Sequence, residues 1–216
     1  MTAPANTGAP LRRARISLES LASAFSAMAA AGVNPDLRAD AYGLGIERTS
    51  QLARDAGLTT ARHSAAGLDR SALDQAPEGA PSSCTWLSGA DAPVTLEASV
   101  ISIKRVPAGT PVSYGYHYRT TDDTTLALIS VGFADGVPRT ASMKAEVALG
   151  GQTHRVAGRI AMDQLVLDIG DTPTTLGDVA TIWGHSPTLA QWSTWSQRPA
   201  ELLISHLAPR VVRTWE

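Results

Sequence analysis

The side chains that could act as nucleophiles or acid–base groups are few in this 216-residue chain. Of its 18 lysine and arginine residues, only Lys104 and Lys144 are lysines, so a reaction that needs a lysine amine has two candidates. The five histidines are scattered, without the helical spacing of common metal ligands, and we predict no metal site. Cys84 is the single cysteine, which excludes an intramolecular disulfide and favours a reducing, cytoplasmic location.

Composition and motifs exclude several classes of function. The net charge of -2 and the absence of a basic stripe disfavour nucleic acid as a partner. No stretch approaches the roughly 20 apolar residues of a membrane helix, so we expect no membrane partner. The segment Gly43-x-Gly45 lacks the third glycine of a dinucleotide fingerprint, because Arg48 occupies that place.

The first part of the chain has the pattern of alternating extended segments and helices. Ser17 can cap a helix whose apolar residues Leu21, Phe25 and Met28 share one face, and Gly32 can end it. A short extended segment over 37–42 and a second helix over 46–56 follow, in the order of a βα repeat. A closed βα barrel takes about 200 residues or more, so this segment cannot form one alone.

From Val94 onward the hydrophobic period changes to two, which is typical of strands. We predict strands over 94–103 with a bulge near 101, then over 112–118, 124–133, 145–149, 153–156, 159–169, 179–183 and 210–215. Two short helices over 189–205, broken at Pro199, precede the last strand. Short strands at this spacing indicate an antiparallel barrel or sandwich.

The predicted fold class is therefore α+β, a mostly antiparallel β-barrel or sandwich preceded by a short, incomplete βα segment. We predict a disordered tail over 1–14, a truncated βα-barrel remnant with a linker over 15–88, and a β-domain over 89–216. The boundary is placed after the stretch 76–83, which has the composition of a linker.

Four motifs follow one another along the chain: Leu37-Arg38-Ala39-Asp40-Ala41-Tyr42-Gly43-Leu44-Gly45, Val112-Ser113-Tyr114-Gly115, Gly132-Phe133-Ala134-Asp135-Gly136-x-Pro138-Arg139 and Gly158-Arg159-Ile160-Ala161-Met162-Asp163-Gln164. In this order and spacing they resemble the alanine racemase family of pyridoxal-phosphate enzymes. The first is similar to the cofactor segment of that family, and the other three are similar to motifs of its C-terminal β-domain.

The resemblance makes two substitutions informative. At the position of Arg38 the family has the lysine that forms a Schiff base with the cofactor and serves as one acid–base group. At the position of Phe133 it has a tyrosine, donated by the partner subunit, that serves as the other. A guanidinium is no Schiff-base nucleophile, and a phenyl ring has no proton to transfer. No catalytic residue is therefore predicted to be intact.

Other positions match the family. Tyr42 corresponds to a tyrosine that contacts the cofactor phosphate, and Met162 with Asp163 corresponds to residues that line the substrate entrance. Most of the family's barrel would have to fit between Gly57 and Ser88, so the catalytic chamber is expected to be absent. In that case Tyr42 packs locally, Arg38 is solvated or ion-paired, and Met162-Asp163 holds a turn.

The resulting hypothesis is a non-catalytic alanine-racemase-like protein that acts through binding or dimerisation and needs no cofactor. Its expected partner is a second copy of itself, or a full-length alanine racemase in a heterodimer, because the family's β-domain packs against the partner's barrel. The alternative is a pyridoxal-phosphate-dependent alanine racemase with a rearranged site, in which Lys104 or Lys144 forms the Schiff base. A gene remnant without a selected function is a third possibility.

Overall fold

The computed structural model describes residues 11–64, 73–88 and 92–216. Its helices are α1 (Leu18–Ala31), α2 (Arg38–Gly43), α3 (Ile46–Asp55), α4 (Leu189–Ser196) and α5 (Ala200–Ser205). Its strands are β1 (Arg12–Ile16), β2 (Asn34–Pro35), β3 (Thr60–Ala61), β4 (Asp74–Gln75), β5 (Ser82–Ser83), β6 (Val94–Val106), β7 (Pro111–Val112), β8 (Tyr118–Arg119), β9 (Thr124–Ile129), β10 (Glu146–Leu149), β11 (Gln152–Arg155), β12 (Leu165–Gly170), β13 (Val179–Trp183) and β14 (Val212–Trp215).

Helix α1 forms where the sequence predicts it. The Ser17 hydroxyl accepts a hydrogen bond from the Ser20 amide at 3.1 Å, and Gly32 ends the helix with a φ of 65°. Leu21, Phe25 and Met28 are buried on one face. The predicted cap, apolar face and stop of this helix are all confirmed.

The main sheet is long and mostly antiparallel. Its strand order is β11-β10-β13-β6-β1-β14, and β9 pairs with both β6 and β12. A bridge between Val156 and Leu167 links the chain after β11 to β12. The register of β6 against β9 shifts between Val100 and Ser102, which confirms the predicted bulge. The α+β fold class is confirmed.

Strand β1 lies inside the main sheet, not in the segment that precedes it. It pairs antiparallel with β6 on one side and parallel with β14 on the other. The prediction of a disordered tail is therefore wrong for Arg12, Arg13 and Ala14, whose amide groups are used in these ladders; residues 1–10 lie outside the described residues. The boundary at 88/89 adjoins residues 89–91, which are also outside them, and stays a prediction.

The remaining N-terminal strands form a short parallel row. β2 pairs with β5, β3 pairs with β4, and a bridge between Asp36 and Arg62 joins β2 to β3. The resulting order is β4-β3-β2-β5. Within the described ranges this row does not close into a βα barrel, in agreement with the predicted incomplete segment.

Two predicted extended segments adopt other structures. The segment 37–42 turns into the left-handed α2, and the segment 112–118 is a hairpin of β7 and β8 around a 3-10 turn, Tyr114–Tyr116. In the first segment Ala39 to Tyr42 have positive φ, and in the second Ser113, Gly115 and Tyr116 do, so the chain turns where the apolar pattern suggests an extended strand.

Candidate functional site

The residues of the first family-like motif lie on a left-handed turn at the end of β2. Ala39, Asp40, Ala41 and Tyr42 all have φ between 53° and 57°. Each non-glycine residue in this conformation costs about 1–2 kcal/mol because Cβ approaches the following carbonyl oxygen. The surrounding structure must therefore hold the turn in place.

Contacts at both ends of the turn hold it. The Asp40 carboxylate accepts a hydrogen bond from the Ile46 amide at 2.8 Å, at the first turn of α3. Arg213 of β14 reaches across the chain, and its Nε donates to the Gly43 carbonyl at 3.0 Å. Burial lowers the pKa of Arg213, while the Asp40 carboxylate opposes this shift. The turn is thus tied to the C-terminal end of the main sheet.

Arg38 forms a forked ion pair with Asp36. Its Nε lies 3.0 Å from Asp36 Oδ1 and its Nη2 lies 2.6 Å from Oδ2. Burial would raise the pKa of Asp36, but the hydrogen bonds and charge of Arg38, together with the charge of Arg62, hold that pKa below its usual value. The hydrogen bond to Asp36 raises the pKa of Arg38, so both groups stay charged at neutral pH.

Tyr42 packs against the same cluster. Its ring lies edge-on to Trp86 with centroids 6.2 Å apart, and the Trp86 indole donates to the Asp36 carbonyl at 3.2 Å. Burial raises the pKa of Tyr42 and also that of the neighbouring Cys84 thiol, so both remain protonated. This local packing is the alternative that the sequence analysis gives for Tyr42; its role towards a cofactor phosphate stays a prediction.

Phe133 lies at the tip of a tight loop after β9 and is 42% exposed. Its amide donates to the Ala161 carbonyl at 3.0 Å. A Cβ on Gly132 would lie only 2.3 Å from the same carbonyl oxygen, so this position requires glycine. The Arg139 guanidinium lies 5.8 Å from the centroid of the Phe133 ring. The backbone of the loop therefore fixes where Phe133 is presented.

A buried carboxylate holds the base of this loop. Asp135 is fully buried and accepts hydrogen bonds from Arg12 Nη1 at 3.2 Å, Arg210 Nε at 2.7 Å and the Gly132 amide at 2.8 Å. Arg210 also bonds Asp163 at 2.6 Å. Asp163, expected at a substrate entrance, thus belongs to an ion-pair network that links β1, the Phe133 loop and the start of β14.

The motifs that contain Arg38 and Phe133 do not share side-chain contacts in the described ranges. Among the described residues, no interaction of Arg38 and none of Phe133 involves a common side chain. Lys104 in β6 and Lys144 before β10 are both exposed on the β-domain and not on the parallel row. Within the described ranges, no group of three His, Cys, Asp or Glu could hold a metal ion, and no helix is long and apolar enough to cross a membrane.

Sequence reasoning missed the partners that define these clusters. Asp36 stands two residues before Arg38, and this Asp-x-Arg spacing after Pro35 was a usable signal for the ion pair. Trp86 and Arg210 lie far from their partners in sequence, and no local pattern indicated them.

Together these features define a mixed α/β protein in which a mostly antiparallel β-domain is tied to a few parallel strands. Residues 93–215 match the family model for the C-terminal domain of alanine racemase. Because the match covers more than half of the chain, the chain belongs to the alanine racemase family.

Curated relatives agree with this assignment. The alanine racemase of Thermobifida fusca is 32% identical over 207 residues, which cover 92% of this chain and 50% of that protein. The alanine racemase of Frankia casuarinae is 39% identical over 153 residues, which cover 69% of this chain and 39% of that protein. The chain thus spans half or less of the length of these relatives.

Solved structures show the same fold. The alanine racemase of Bartonella henselae with covalently bound pyridoxal phosphate superposes with a TM-score of 0.80 at 15% identity, over 96% of this chain and 100% of that chain. At this level of identity the likeness concerns the fold alone.

Proposed function

We propose that this chain is a non-catalytic member of the alanine racemase family that acts by assembly through its β-domain. The observation that carries the proposal is the pairing of Arg38 with the buried Asp36, at the position where the family resemblance calls for a Schiff-base lysine. A charged guanidinium held by two hydrogen bonds offers no amine for the cofactor carbonyl.

The residues of the left-handed turn do not fit a covalently held pyridoxal phosphate. Arg38 is held by Asp36 through its Nε and Nη2 and carries no amine, and Tyr42 packs on Trp86 beside the protonated Cys84 thiol. Lys104 and Lys144, the two lysines of the chain, are exposed on the β-domain. No cofactor is therefore part of the proposed function.

The Phe133 loop supports a role in assembly. Phe133, Met143 and Met162 are 42%, 39% and 55% exposed, and we refer to them as the contact patch. Ala161 and Met162 accept the amides of Phe133 and Ala134, and the Ser142 hydroxyl accepts the amide of Ile160, so the three backbone segments that carry these residues are joined. Exposed apolar side chains on joined segments are the kind of surface that mediates association.

The proposed occupant of the contact patch is a second alanine-racemase-type chain. The simpler version of the proposal is a homodimer, because a second copy of this chain requires no other protein. The other version is a heterodimer with a full-length alanine racemase. It predicts that the two chains co-purify after co-expression.

A second candidate function is racemisation at a rearranged site, which the names of the curated relatives favour. It requires Lys104 or Lys144 to react with the cofactor. Borohydride reduction in the presence of pyridoxal phosphate, followed by peptide mass mapping, would locate such a lysine.

One experiment tests the proposal directly. The purified chain is mixed with pyridoxal phosphate, its absorption spectrum is recorded, and interconversion of L- and D-alanine is assayed while sedimentation equilibrium gives the oligomeric state. We expect no aldimine absorption band, no racemisation and a dimer that is indifferent to the cofactor. An aldimine band at one lysine with measurable racemisation would replace this proposal by the second candidate.

A further inference from the structure

A cleft of about 490 Å³ lies between the β7–β8 hairpin loop and the segment that leads into β12. It is lined by Ser113, Tyr114, Gly115, Tyr116, Arg159, Ala161, Gln164, Leu165 and Val166. Its volume lies within the range of small-ligand pockets, about 300–1,000 Å³. None of the substituted catalytic positions lines it.

Among the described residues, four polar side chains of the cleft have no hydrogen-bond or ion-pair partner. Tyr114, Tyr116, Arg159 and Gln164 take part through their side chains in none of the hydrogen bonds or ion pairs among the described residues. Tyr114 and Tyr116 are 68% and 64% exposed, although large aromatic side chains are usually packed. These four side chains line the same cleft and are available to bind a ligand there.

The charge in the cleft is positive. Arg159 is half-buried, and a Cβ on Gly115 would lie 3.4 Å from its Nη1, so the guanidinium lies directly beneath the hairpin loop. No carboxylate lines the cleft. The nearest along β12 is Asp168, which accepts hydrogen bonds from Tyr118, at 2.7 Å, and from Thr124. Within the part of the chain that the structure describes, the charge of Arg159 therefore has no counterion.

Two residues of the hairpin loop, Ser113 and Tyr116, have a strained backbone conformation. Ser113 has φ 59° and ψ -177°, a region that is almost confined to glycine, and Tyr116 has φ 52°. The Ser113 hydroxyl donates to the Arg159 carbonyl at 2.6 Å, which ties the loop to the opposite wall. Backbone strain of this kind clusters at active sites and ligand clamps, and here it lies in the loop that borders Arg159.

We infer that this cleft binds a small organic anion in which a carboxylate or phosphate is attached to a flat ring. The Arg159 guanidinium matches either anion through paired N–H donors. The rings of Tyr114 and Tyr116 offer faces and edges to a planar group, and the Gln164 amide supplies a further donor and acceptor. This site is independent of the proposed loss of catalysis and of assembly through the contact patch.

Calorimetric titration with phenyl phosphate, benzoate, benzamide and inorganic phosphate tests the inference. We expect phenyl phosphate and benzoate to bind at millimolar concentrations or tighter, and the neutral ring and the bare anion to bind at least several-fold more weakly. Arg159→Gln should weaken phenyl phosphate binding about ten- to hundredfold, as expected for loss of a charge-assisted pair. Tyr114→Ala should weaken it about three- to tenfold.

The matched control is Arg198→Gln, which removes the same charge from an exposed position that does not line the cleft. It should leave phenyl phosphate binding within about twofold, and thermal unfolding should show that Arg159→Gln folds like the unmodified chain. The inference is overturned if no probe binds, if benzamide binds as tightly as phenyl phosphate, or if Arg198→Gln reduces binding as much as Arg159→Gln.

Discussion

The buried charge of Asp36 is the reason why Arg38 is a structural residue in this chain. A carboxylate that is only 6% exposed is costly unless a cation and hydrogen bonds compensate it. Arg38 supplies both through its fork, at distances of 2.6 and 3.0 Å. The arginine thus has a physical role that a lysine, with its single point charge, would fill less well.

Arg38→Gln is therefore expected to lower the free energy of unfolding at pH 7 by about 1–2 kcal/mol, because Asp36 keeps only the residue-38 amide and the charge of Arg62. The control Arg105→Gln breaks an ion pair with Asp171 whose side chains are 54% and 89% exposed, and should cost less than about 0.5 kcal/mol. Urea unfolding of the three proteins measures both values. Equal losses in the two variants would contradict the role given to the Asp36 pair.

The same pair predicts a dependence on pH. The pKa of Asp36 is below its ordinary value of about 3.9, so the unfolded chain binds the proton first as the pH falls. The stabilisation is present above that ordinary value and disappears as the pH falls through the lowered pKa of the folded state. The difference in stability between the unmodified chain and Arg38→Gln should therefore narrow below about pH 4. A difference that stays constant down to pH 3 would argue against the pair.

At the scale of elements, helix α1 and the hairpin of β10 and β11 could be predicted because the information is local. A cap, an apolar period and a stop at Gly32 lie within sixteen residues, from Ser17 to Gly32, and Gly150 with Gly151 marks the hairpin turn. The left-handed turn could not be predicted in this way. Ala39 and Ala41 prefer right-handed backbone, and the contact that overrides this preference comes from Arg213, 170 residues beyond Gly43.

Ala39→Gly tests whether the turn carries conformational strain. Ala39 is exposed and has φ 53°, so the substitution removes a steric cost without removing a packed side chain, and should raise the free energy of unfolding by about 1 kcal/mol. Ala27→Gly, at an exposed position of the right-handed α1, is the matched control and should lower it by about 0.5–1 kcal/mol. Effects of the same sign in both variants would show that the turn is not strained.

At the scale of the whole molecule, N- and C-terminal parts of the chain stabilise one another. β1 lies between β6 and β14, Arg12 bonds Asp135 in the Phe133 loop, and Arg213 holds the left-handed turn. The sequence indicated the strands of the β-domain but not the place of β1, because a five-residue strand gives no sign of which neighbours it pairs with. The segment before the β-domain therefore completes the main sheet instead of standing apart from it.

These contacts fix the Phe133 loop within one chain. Under the proposed assembly, the association of two chains should therefore depend on the side chains of the contact patch. Phe133→Asp and Met162→Asp place a charge on exposed apolar positions, and each should raise the dissociation constant of the dimer about tenfold or more in sedimentation equilibrium. Leu176→Asp is the control, since Leu176 is 50% exposed but lies outside the patch, and should change it less than about threefold.

At concentrations where the chain is monomeric, all three variants should keep the unfolding temperature of the unmodified chain, because none of the substituted side chains is buried. A chain that stays monomeric at all concentrations, and that also separates from a co-expressed full-length racemase, would remove the role of the patch in assembly. A loss of association with Leu176→Asp alone would move the interface to another face of the β-domain. Weakening by both the Phe133 and Met162 variants, without an effect of Leu176→Asp, would tie assembly to the Phe133 loop.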